Sequence, residues 1–385
     1  MRKVVFIAKT NLNNDGRILN QLKILKEYYG KNIIIDFILM QDKRLISSVV
    51  EVDNFYFIDT FFRNNRVFRI FAVLEFTFKA LIKLIRLRPD IVHVQDSAVV
   101  LPVYLYRVYT GNRVQFIYDD HELPNENQNL FERIITYIEN KLIKFCDVVV
   151  FANKERKDFW IGKFSIKPRF STYFLNLPYY ENKYSFNDLC GSELNHFNNI
   201  KLLKDSGKKI IIHQGALNDA RGKGMLYSLI EKSSEEIVVV FLGSNLQQFE
   251  EVFSNMNRYL DKCYFVGSIQ YNFLEIFWEL GDASIVLYDP MYINNKLCAP
   301  NRYFLSFFKN IPIIVNKTNP VLNNLTVTLR SGLFIEDILE GKNSICDIFN
   351  HYIDQTICNE LRDKQCQNFV RIYEKLNDLH TKNKE

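Results

Sequence analysis

The sequence has few of the residues that mark linkers, disulfide frameworks or membrane spans. Only 14 glycines and 9 prolines occur among 385 residues, and no tract rich in glycine, serine or proline marks a flexible linker. The seven cysteines show no paired or metal-ligand spacing, and their odd number favours a reducing cytoplasm. No stretch of eighteen apolar residues lacks charges, so we expect no membrane-spanning helix. These absences argue against a disulfide-rich secreted protein and against an integral membrane protein.

Charge and length narrow the possibilities further. The formal net charge is only +5, and the sequence contains no zinc-finger, RNA-recognition or basic-zipper pattern, so we expect no nucleic-acid partner. Met1-Arg2-Lys3 leads directly into a short apolar strand rather than a secretory signal, which again favours the cytoplasm. A hydrophobic fraction of 48% is typical of a globular protein, and 385 residues are enough for two domains.

Short apolar strands alternate with amphipathic helices along most of the chain. Because consecutive parallel strands are joined by right-handed crossover helices, this alternation predicts parallel sheets with helices on both faces. We therefore expect an α/β protein with two doubly wound, Rossmann-like domains that face each other across a cleft. The expected boundaries are a first domain at 1–186, a linker at 187–208, a second domain at 209–344, and C-terminal helices at 345–385 that pack back on the first domain.

Polar residues follow three strands in the first half of the chain, at the point where each strand ends. Ligands of parallel α/β sheets bind beyond these carboxyl ends, so the three groups should converge on one site. A single histidine after a strand is more often structural, but three polar strand ends at one edge favour a binding site. The groups are Asp15, Gly16 and Arg17; Gln95 and Asp96; and Asp119, Asp120, His121 and Glu122.

The second half opens with residues 210–225, in which an apolar strand ends at Gly215 and a helix begins near Gly224. A glycine at the strand end lets a ligand approach the backbone closely. Between the two glycines, Arg221 offers a planar fork of donors and Lys223 a point charge, a combination that suits two phosphates. An ordinary strand–turn–helix with solvated cations is the alternative.

Residues 67–87 predict a long helix with more apolar side chains than one buried face requires. One stripe should be buried against the sheet: Val67, Phe71, Leu74, Phe78, Leu81 and Ile85. Four further apolar residues fall outside it: Ile70, Val73, Phe76 and Leu84. Four basic residues lie on the opposite side: Arg69, Lys79, Lys83 and Arg86. The helix is either a cover for the sheet with a solvated basic side, or an anchor that holds residues 61–88 on an anionic membrane surface.

Six short motifs resemble, in this order, the glycosyltransferase family 4 group of the GT-B fold. No single motif is specific, but the six together cover most of the chain. They occupy residues 15–18, 89–96, 118–123, 175–178, 213–224 and 298–304.

The resemblance implies a glycosyltransferase that moves a sugar from a nucleotide-diphosphate sugar to a glycan or a lipid-linked acceptor. The first domain would then hold the acceptor and the second the nucleotide sugar. The resemblance also implies retention of the anomeric configuration. Since two cations can neutralise the diphosphate, we expect neither a metal nor another cofactor. A lipid-linked acceptor would place the protein in the cytoplasm, peripherally on the inner face of the cell membrane.

Most of the candidate site residues lie in these motifs. The candidate catalytic residues are His121, which would face the donor sugar or the acceptor hydroxyl, and Arg221 and Lys223, which would stabilise the leaving diphosphate. The candidate substrate-binding residues are Asp15, Gly16, Arg17, Asp96, Glu122, Gly215, Gly243, Ser268, Pro300, Asn301, Arg302 and Ser306.

Two positions depart from the family pattern. The family usually has a glutamate seven residues before the proline matched by Pro312, where it holds the ribose diol, and often another glutamate eight residues earlier. This chain has Leu305 and Leu297 there, so we expect Ser306 or backbone groups to hold the ribose. The departure keeps open a degenerate, non-catalytic GT-B subunit that binds a partner enzyme. A non-hydrolysing nucleotide-sugar epimerase, which shares the two-domain fold but needs no lipid-facing helix, is the other alternative.

Overall fold

Two parallel β-sheets organise the part of the chain that the computed structural model describes, which comprises residues 2–10, 12, 15–40, 52–61, 69–124, 126–164, 168–179, 184–252 and 257–382. Each sheet belongs to one of two compact units. The first unit contains residues 1–180 and 363–385, and the second unit contains residues 181–362.

The first unit has a seven-stranded sheet with the strand order β3-β2-β1-β4-β5-β6-β7. Its strands are β1 (Arg2–Ala8), β2 (Ile33–Leu39), β3 (Asn54–Phe57), β4 (Ile91–Gln95), β5 (Gln115–Asp120), β6 (Val148–Phe151) and β7 (Ser171–Tyr173). Its helices are α1 (Gly16–Tyr29), α2 (Arg69–Leu87), α3 (Val100–Thr110), α4 (Leu130–Phe145), α5 (Lys154–Phe164) and most of α14 (Gln355–Lys382). The strand order reverses direction between β1 and β4, so their carboxyl ends form the topological switch point of this sheet.

Right-handed crossovers place helices on both faces of the first sheet. The chain moves outward in one direction from β1 to β3 and in the other from β4 to β7, so α1 and the crossover helices α2 to α5 cover opposite faces. On one face, Leu22 and Leu25 of α1 share a core with Phe369 and Leu376 of α14. On the other face, α3 packs against both α2 and α4.

Helix α2 buries a different face from the predicted one. The predicted stripe is wrong in its bulkiest members, because Phe71, Leu74 and Phe78 are 49%, 52% and 66% exposed. The buried side chains instead recur every four residues: Ala72, Phe76, Ala80 and Leu84. Two members of this stripe are alanines, so a prediction based on large apolar residues does not find it. Val67 falls in residues 62–68, which lie outside the described residues.

The second unit has a six-stranded sheet with the order β10-β9-β8-β11-β12-β13. Its strands are β8 (Lys209–Gln214), β9 (Ile237–Leu242), β10 (Cys263–Gly267), β11 (Ala283–Val286), β12 (Ile313–Val315) and β13 (Gly332–Phe334). Its helices are α6 (Gly191–Asp205), α7 (Lys223–Lys232), α8 (Leu246–Val252), α9 (Tyr271–Trp278), α10 (Ile293–Lys296), α11 (Asn301–Phe308), α12 (Pro320–Leu329) and α13 (Ile335–Leu339). The switch point lies between β8 and β11. The predicted α/β class with two doubly wound parallel sheets is confirmed.

Residues 187–208, which we expected to form a linker, contain helix α6. Its Phe197 and Ile200 are buried in a core of the second unit, together with Ile210 of β8. The helix is mostly polar, which is why its sequence suggested a linker. The chain passes instead from the first unit to the second between Tyr180 and Glu181.

The last helix, α14, belongs to the first unit from Asp363 onward, whereas residues 345–362 belong to the second unit. Phe369, Ile372 and Leu376 are buried in the core that α1 also lines. The hydroxyl of Tyr373 lies 2.7 Å from Nδ1 of the buried His93. Among the described residues, none of the helices has the length and apolar character needed to span a bilayer.

Candidate functional site

The switch point of the first sheet brings together the start of α1 and the ends of β4 and β5. Asp15 caps α1, since its Oδ1 accepts a hydrogen bond from the backbone N–H of Ile18 at 3.2 Å and its Oδ2 accepts one from the Thr10 hydroxyl at 2.9 Å. Gly16 is the first residue of the helix. The N–H groups of the first helical turn therefore lie at this edge of the sheet.

Arg17 turns into the interior instead of toward a ligand. Its guanidinium is 5% exposed and pairs with Asp119, Nη2 to Oδ1 at 2.6 Å. Nη1 also donates to the carbonyl of Phe174 at 2.6 Å. The predicted substrate-binding role of Arg17 does not fit this geometry, because all of these contacts are made to the protein. Arg17 instead neutralises Asp119 at the end of β5, and it holds the pKa of that carboxyl well below its usual range despite burial.

His121 is held by a polar network that leads back to Asp119. Its Nε2 lies 2.8 Å from Oε1 of Gln95, and Nε2 of Gln95 donates to Oε1 of Gln21 at 2.8 Å. Gln21 in turn donates to Asp119. Burial lowers the pKa of His121, but the Asp119 carboxylate, 3.7 Å from Nε2, outweighs burial and leaves this pKa raised. The Nε2 atom of the imidazole is therefore held at the sheet edge by Gln95.

Asp96 and Glu122 line a cavity of about 620 Å³ beside this edge. Asp96 has a positive φ of 68°, an uncommon backbone conformation for a residue other than glycine. Its N–H donates to the carbonyl of Asp119 at 2.9 Å, which ties the end of β4 to β5. The structure thus brings Asp96, Glu122 and His121 to one end of the first sheet, whereas Arg17 serves the interior.

Two buried acids lie near this edge of the sheet: Asp120 belongs to the third predicted polar strand end, whereas Glu139 was not predicted as a site residue. Asp120 is 1% exposed and Glu139 of α4 is 2% exposed. Burial, with the charge of Asp96, raises the pKa of Glu139 to about 8, although the hydroxyl of Tyr118 donates to it. Burial and the neighbouring Glu139 also raise the pKa of Asp120. The sequence could have indicated that Glu139 is buried, because Glu139 falls on the same helical stripe as the buried Leu142.

Three glycines end the first three strands of the second unit, and all three have positive φ values. They are Gly215 (112°), Gly243 (91°) and Gly267 (76°). Gly243 N–H donates to the carbonyl of Gly267 at 2.7 Å, and Ser244 Oγ donates to that of Gly215 at 2.8 Å. A Cβ atom at Gly243 would lie 3.7 Å from the backbone nitrogen of Gly215. The absence of side chains here leaves the backbone open to close approach.

Arg302 lies directly beneath Gly215 and is 7% exposed. It donates to the carbonyl of Gln214 and, at 3.3 Å, to that of Leu287, which joins the ends of β8 and β11. A Cβ atom at Gly215 would come within 3.3 Å of Nη1. Burial lowers the pKa of Arg302 to about 10. Arg302 was predicted to contact the ligand, but its hydrogen bonds are made to backbone carbonyls of the protein. Arg302 therefore holds the ends of β8 and β11 together and adds positive potential at the switch point.

Arg221 and Lys223 lie at the start of α7. The guanidinium of Arg221 lies 4.1 Å from the centre of the Tyr288 ring, and Lys223 Nζ lies 3.0 Å from Oδ1 of the exposed Asp219. Gly222 between them is left-handed, with φ 67°, and a Cβ atom there would meet Leu287 at 2.9 Å. Only glycine fits this turn, so the turn fixes where both cations leave the backbone.

The remaining predicted residues of the second unit have different surroundings. Ser268 is exposed beyond β10, and Asn301 is exposed after Pro300, which caps α11. Ser306 is fully buried, with Oγ 2.7 Å from Oγ of Ser284 and 2.7 Å from the carbonyl of Ile311. Its predicted contact with the ribose is therefore wrong, because the hydroxyl is bonded inside the core.

The electrostatic character of the second switch point is basic. His213 at its floor is buried, and burial together with the charges of Arg302 and Arg221 lowers its pKa to about 3, so it remains neutral. Among the described residues, no group of three or more histidine, cysteine, aspartate or glutamate side chains is placed to hold a metal ion. The chemistry that these side chains offer is anion binding by cations and backbone N–H groups.

Known structures share this fold across nearly the whole chain. No protein-family model matches the sequence, and no curated protein sequence matches it. Sucrose-phosphate synthase from Thermosynechococcus elongatus has a TM-score of 0.66 at 11% identity and covers 99% of this chain and 100% of its own. Anabaena HepE, solved with UDP and glucose, has a TM-score of 0.62 at 10% identity, with 99% and 100% covered. UDP-GlcNAc 2-epimerase from Methanocaldococcus jannaschii has a TM-score of 0.58 at 14% identity, with 97% and 99% covered. The chain has the GT-B fold.

Proposed function

We propose that this protein is a glycosyltransferase that takes its sugar from a nucleotide-diphosphate sugar. The observation that carries the proposal is the second switch point, where β8 ends at Gly215 with a positive φ and the cations Arg221 and Lys223 flank Gly222 at the start of α7. A diphosphate needs two cations and donor N–H groups, and this edge offers both. The structure of HepE with UDP and glucose supports a nucleotide sugar as the ligand of this fold.

The leaving diphosphate accumulates negative charge as the bond to the sugar breaks. Arg221 and Lys223, already held near the start of α7, stabilise that charge without reorganisation, and Arg302 adds a buried positive charge below. Within this proposal, no metal and no further cofactor take part. The configuration at the anomeric carbon is retained, as the resemblance to glycosyltransferase family 4 implies.

His121 is the first-unit residue to which we assign a part in the transfer. Its imidazole is fixed by Gln95 and stays close to Asp119, so it can donate or accept a hydrogen bond at one defined position. A fixed imidazole of this kind affects turnover more than it affects nucleotide affinity.

We also place the protein peripherally on the cytoplasmic face of an anionic membrane, with a glycan or lipid-linked acceptor. Helices α2, α3 and α4 expose what we call the apolar helical face: Ile70, Phe71, Leu74, Phe78, Leu105, Val108, Tyr109, Leu130, Phe131, Ile134, Tyr137 and Phe145. Two of the basic residues of α2 have partners within the protein. Lys79 Nζ donates to Oε1 of Glu75 at 2.6 Å, and Lys83 Nζ lies 4.0 Å from the centre of the Tyr56 ring. Apolar insertion thus outweighs charge in this proposal.

The donor assignment is tested by titrating the protein with a panel of nucleoside diphosphates and their sugars in a calorimeter. Arg221→Ala and Lys223→Ala should weaken binding, whereas Lys342→Ala, which removes a cation that is 65% exposed and paired with Glu340 on the same unit, should not. Equal affinity of both site variants and wild type would contradict the assignment.

Turnover separates the transferase from the two alternatives. The similarity to UDP-GlcNAc 2-epimerase makes epimerisation the second candidate, and an epimer formed without acceptor would establish it. Slow donor hydrolysis, or transfer to an added acceptor, supports the transferase. If no nucleotide binds and no product forms, the non-catalytic subunit becomes the better explanation.

A further inference from the structure

Tyr288 lies just beyond the end of β11, and two guanidinium groups pack against its ring. The central carbon of the Arg221 guanidinium lies 4.1 Å from the ring centre, and that of Arg302 lies 4.7 Å from it. Arg221 precedes α7, whereas Arg302 belongs to α11. One buried aromatic side chain, 6% exposed, therefore contacts both arginines of the second switch point.

The two guanidinium groups carry the same charge in a site that is partly screened from water. Within the described residues, no carboxylate pairs with Arg302, and its Nε has no hydrogen-bond partner. Burial, and then the charges of Arg302 and Arg221, lower the pKa of His213 to about 3, so both charges act on the floor of this site. Like charges at short range repel each other. The arrangement therefore needs a group that attracts both arginines.

An aromatic ring supplies that attraction without a negative charge. The ring face has a negative electrostatic potential, and it attracts a cation that lies within about 6 Å of the ring centre. A carboxylate in the same place would attract the arginines more strongly, but it would also repel an incoming phosphate. The Tyr288 ring offsets the repulsion between the two cations and leaves both available to an anion.

The position of the ring is fixed by the backbone that carries it. The N–H of Tyr288 donates to Oδ1 of the fully buried Asn316 at 3.0 Å, and the carbonyl of Tyr288 accepts from Nδ2 of the same side chain at 2.9 Å. The N–H of Asp289 donates to the carbonyl of Ala220 at 3.1 Å, next to Arg221. The ring and the loop that carries Arg221 thus belong to one hydrogen-bonded framework.

We propose that Tyr288 is a positioning residue of the diphosphate site, whose ring holds the Arg221 guanidinium in its binding orientation against the repulsion of Arg302. Without this attraction, some Arg221 side chains turn away, because a free arginine gains rotamer entropy. The apparent affinity for a diphosphate then falls with the fraction of molecules that remain competent to bind. This role rests on the proposed function, since it depends on a diphosphate at this site. The ring acts through Arg221 and not on the ligand itself.

Three aromatic side chains at position 288 of the full chain test the role: tyrosine, phenylalanine (Tyr288→Phe) and 3,4,5-trifluorophenylalanine. The last two have nearly the same size, but fluorine withdraws negative charge from the ring face. Each protein is titrated calorimetrically with inorganic pyrophosphate. We expect Tyr288→Phe to bind within about 2-fold of wild type, and the trifluorinated ring to bind at least about 3-fold more weakly than phenylalanine.

Two results of this comparison would overturn the role. Equal affinity with phenylalanine and trifluorophenylalanine would mean that the ring only fills space. A loss already seen in Tyr288→Phe would assign the effect to the hydroxyl group. Thermal unfolding checks that each protein is folded, and 3,5-difluorophenylalanine replaces the trifluorinated residue if that variant is not.

Arg221→Ala identifies the cation through which the ring acts. In this background the difference between phenylalanine and trifluorophenylalanine should shrink below about 2-fold, because the side chain that the ring holds is gone. An unchanged difference would contradict the proposal. The matched control is Tyr259, whose ring centre lies 5.4 Å from Nζ of Lys262, in a segment that leads into the amino end of β10. The same two substitutions there should bind pyrophosphate equally, and a difference as large as at position 288 would also refute the role.

Pyrophosphate distinguishes the failure of this role from the failure of the proposed function. If wild type does not bind pyrophosphate, or if Arg221→Ala binds it as tightly as wild type does, the diphosphate site and the role of Tyr288 are both wrong. If Arg221→Ala weakens binding but the two phenylalanine rings bind equally, only the role of Tyr288 is wrong, and the proposed donor site stands.

Discussion

Replacing Asp119 with asparagine tests whether Arg17 is an interior counter-ion or a residue available to a ligand. Asparagine keeps the shape of aspartate but removes the charge that neutralises a guanidinium only 5% exposed. Removing one partner of a buried ion pair costs about 3–5 kcal/mol. We expect the upper part of this range, because Nη1 of Arg17 is also held by the carbonyl of Phe174 at 2.6 Å and cannot turn toward water. For a domain of this size, a loss of about 4–5 kcal/mol should lower the melting temperature by roughly 8–20 °C.

The assay can isolate the first unit because the chain has two tryptophans, Trp160 in the first unit and Trp278 in the second. In a Trp278→Phe background, fluorescence during urea unfolding reports on Trp160 alone, which is 1% exposed. The matched control is Glu27→Gln, which breaks a surface pair with Lys23 at 3.7 Å. The control should cost at most about 0.5 kcal/mol. A loss below about 1 kcal/mol for Asp119→Asn would refute the reasoning and return Arg17 to the candidate ligand contacts.

The other predictions concern the donor, the imidazole, a buried acid and the membrane. Arg221→Ala and Lys223→Ala should each weaken nucleoside-diphosphate binding by about 1.5–3 kcal/mol in calorimetry, the scale of a hydrogen bond to a charged group. His121→Ala should lower transfer by about 10²-fold while nucleotide affinity stays the same; unchanged transfer would make His121 structural. Because folding raises the pKa of Glu139 from 4.5 to about 8, the folded state binds more protons in that interval, so the first unit should lose stability as the pH rises through it. Glu139→Gln should flatten this dependence in urea unfolding, and an unaltered slope would count against the raised pKa. Phe78→Ser should reduce co-sedimentation with anionic vesicles, whereas Leu202→Ser, an equally exposed site on the second unit, should not; wild-type protein that stays in the supernatant at low salt would contradict membrane binding.

The fold was predictable because the alternation of strands and helices restricts the topology to very few arrangements. The incorrect predictions concern segments whose residues fit two different structures equally well. Helix α2 carries apolar residues around much of its circumference, and the sequence does not show which stripe the sheet accepts. Helix α6 is polar enough to be taken for a linker, because only Phe197 and Ile200 enter the core deeply. Burial at these positions depends on neighbouring elements, which are far away in the sequence.

The sequence predicted where in the fold the candidate site lies, but it predicted the contacts of the individual residues less well. Strand ends and glycines identified both switch points, since backbone geometry there depends on local sequence. Arg17, Arg302 and Ser306 were expected to contact substrate, yet each is bonded to protein groups at the same sheet edges. A polar residue at a strand end can serve the ligand or hold the strand ends together, and its spacing is identical in the two cases. Only the group to which the side chain is hydrogen-bonded in the structure distinguishes these two roles.

The two switch points have opposite electrostatic character, and this difference constrains their ligands. In the second unit, Arg221, Lys223 and Arg302 create a positive edge that favours a diphosphate. In the first unit, the acids Asp96, Glu122 and Glu139 line one cavity, and the surplus of acidic groups there disfavours a phosphate. Under the proposed function, the diphosphate of a nucleotide sugar therefore suits the second switch point better than the first. A transferase whose acceptor carried phosphate next to the reacting hydroxyl would have to place that phosphate outside the acidic cavity.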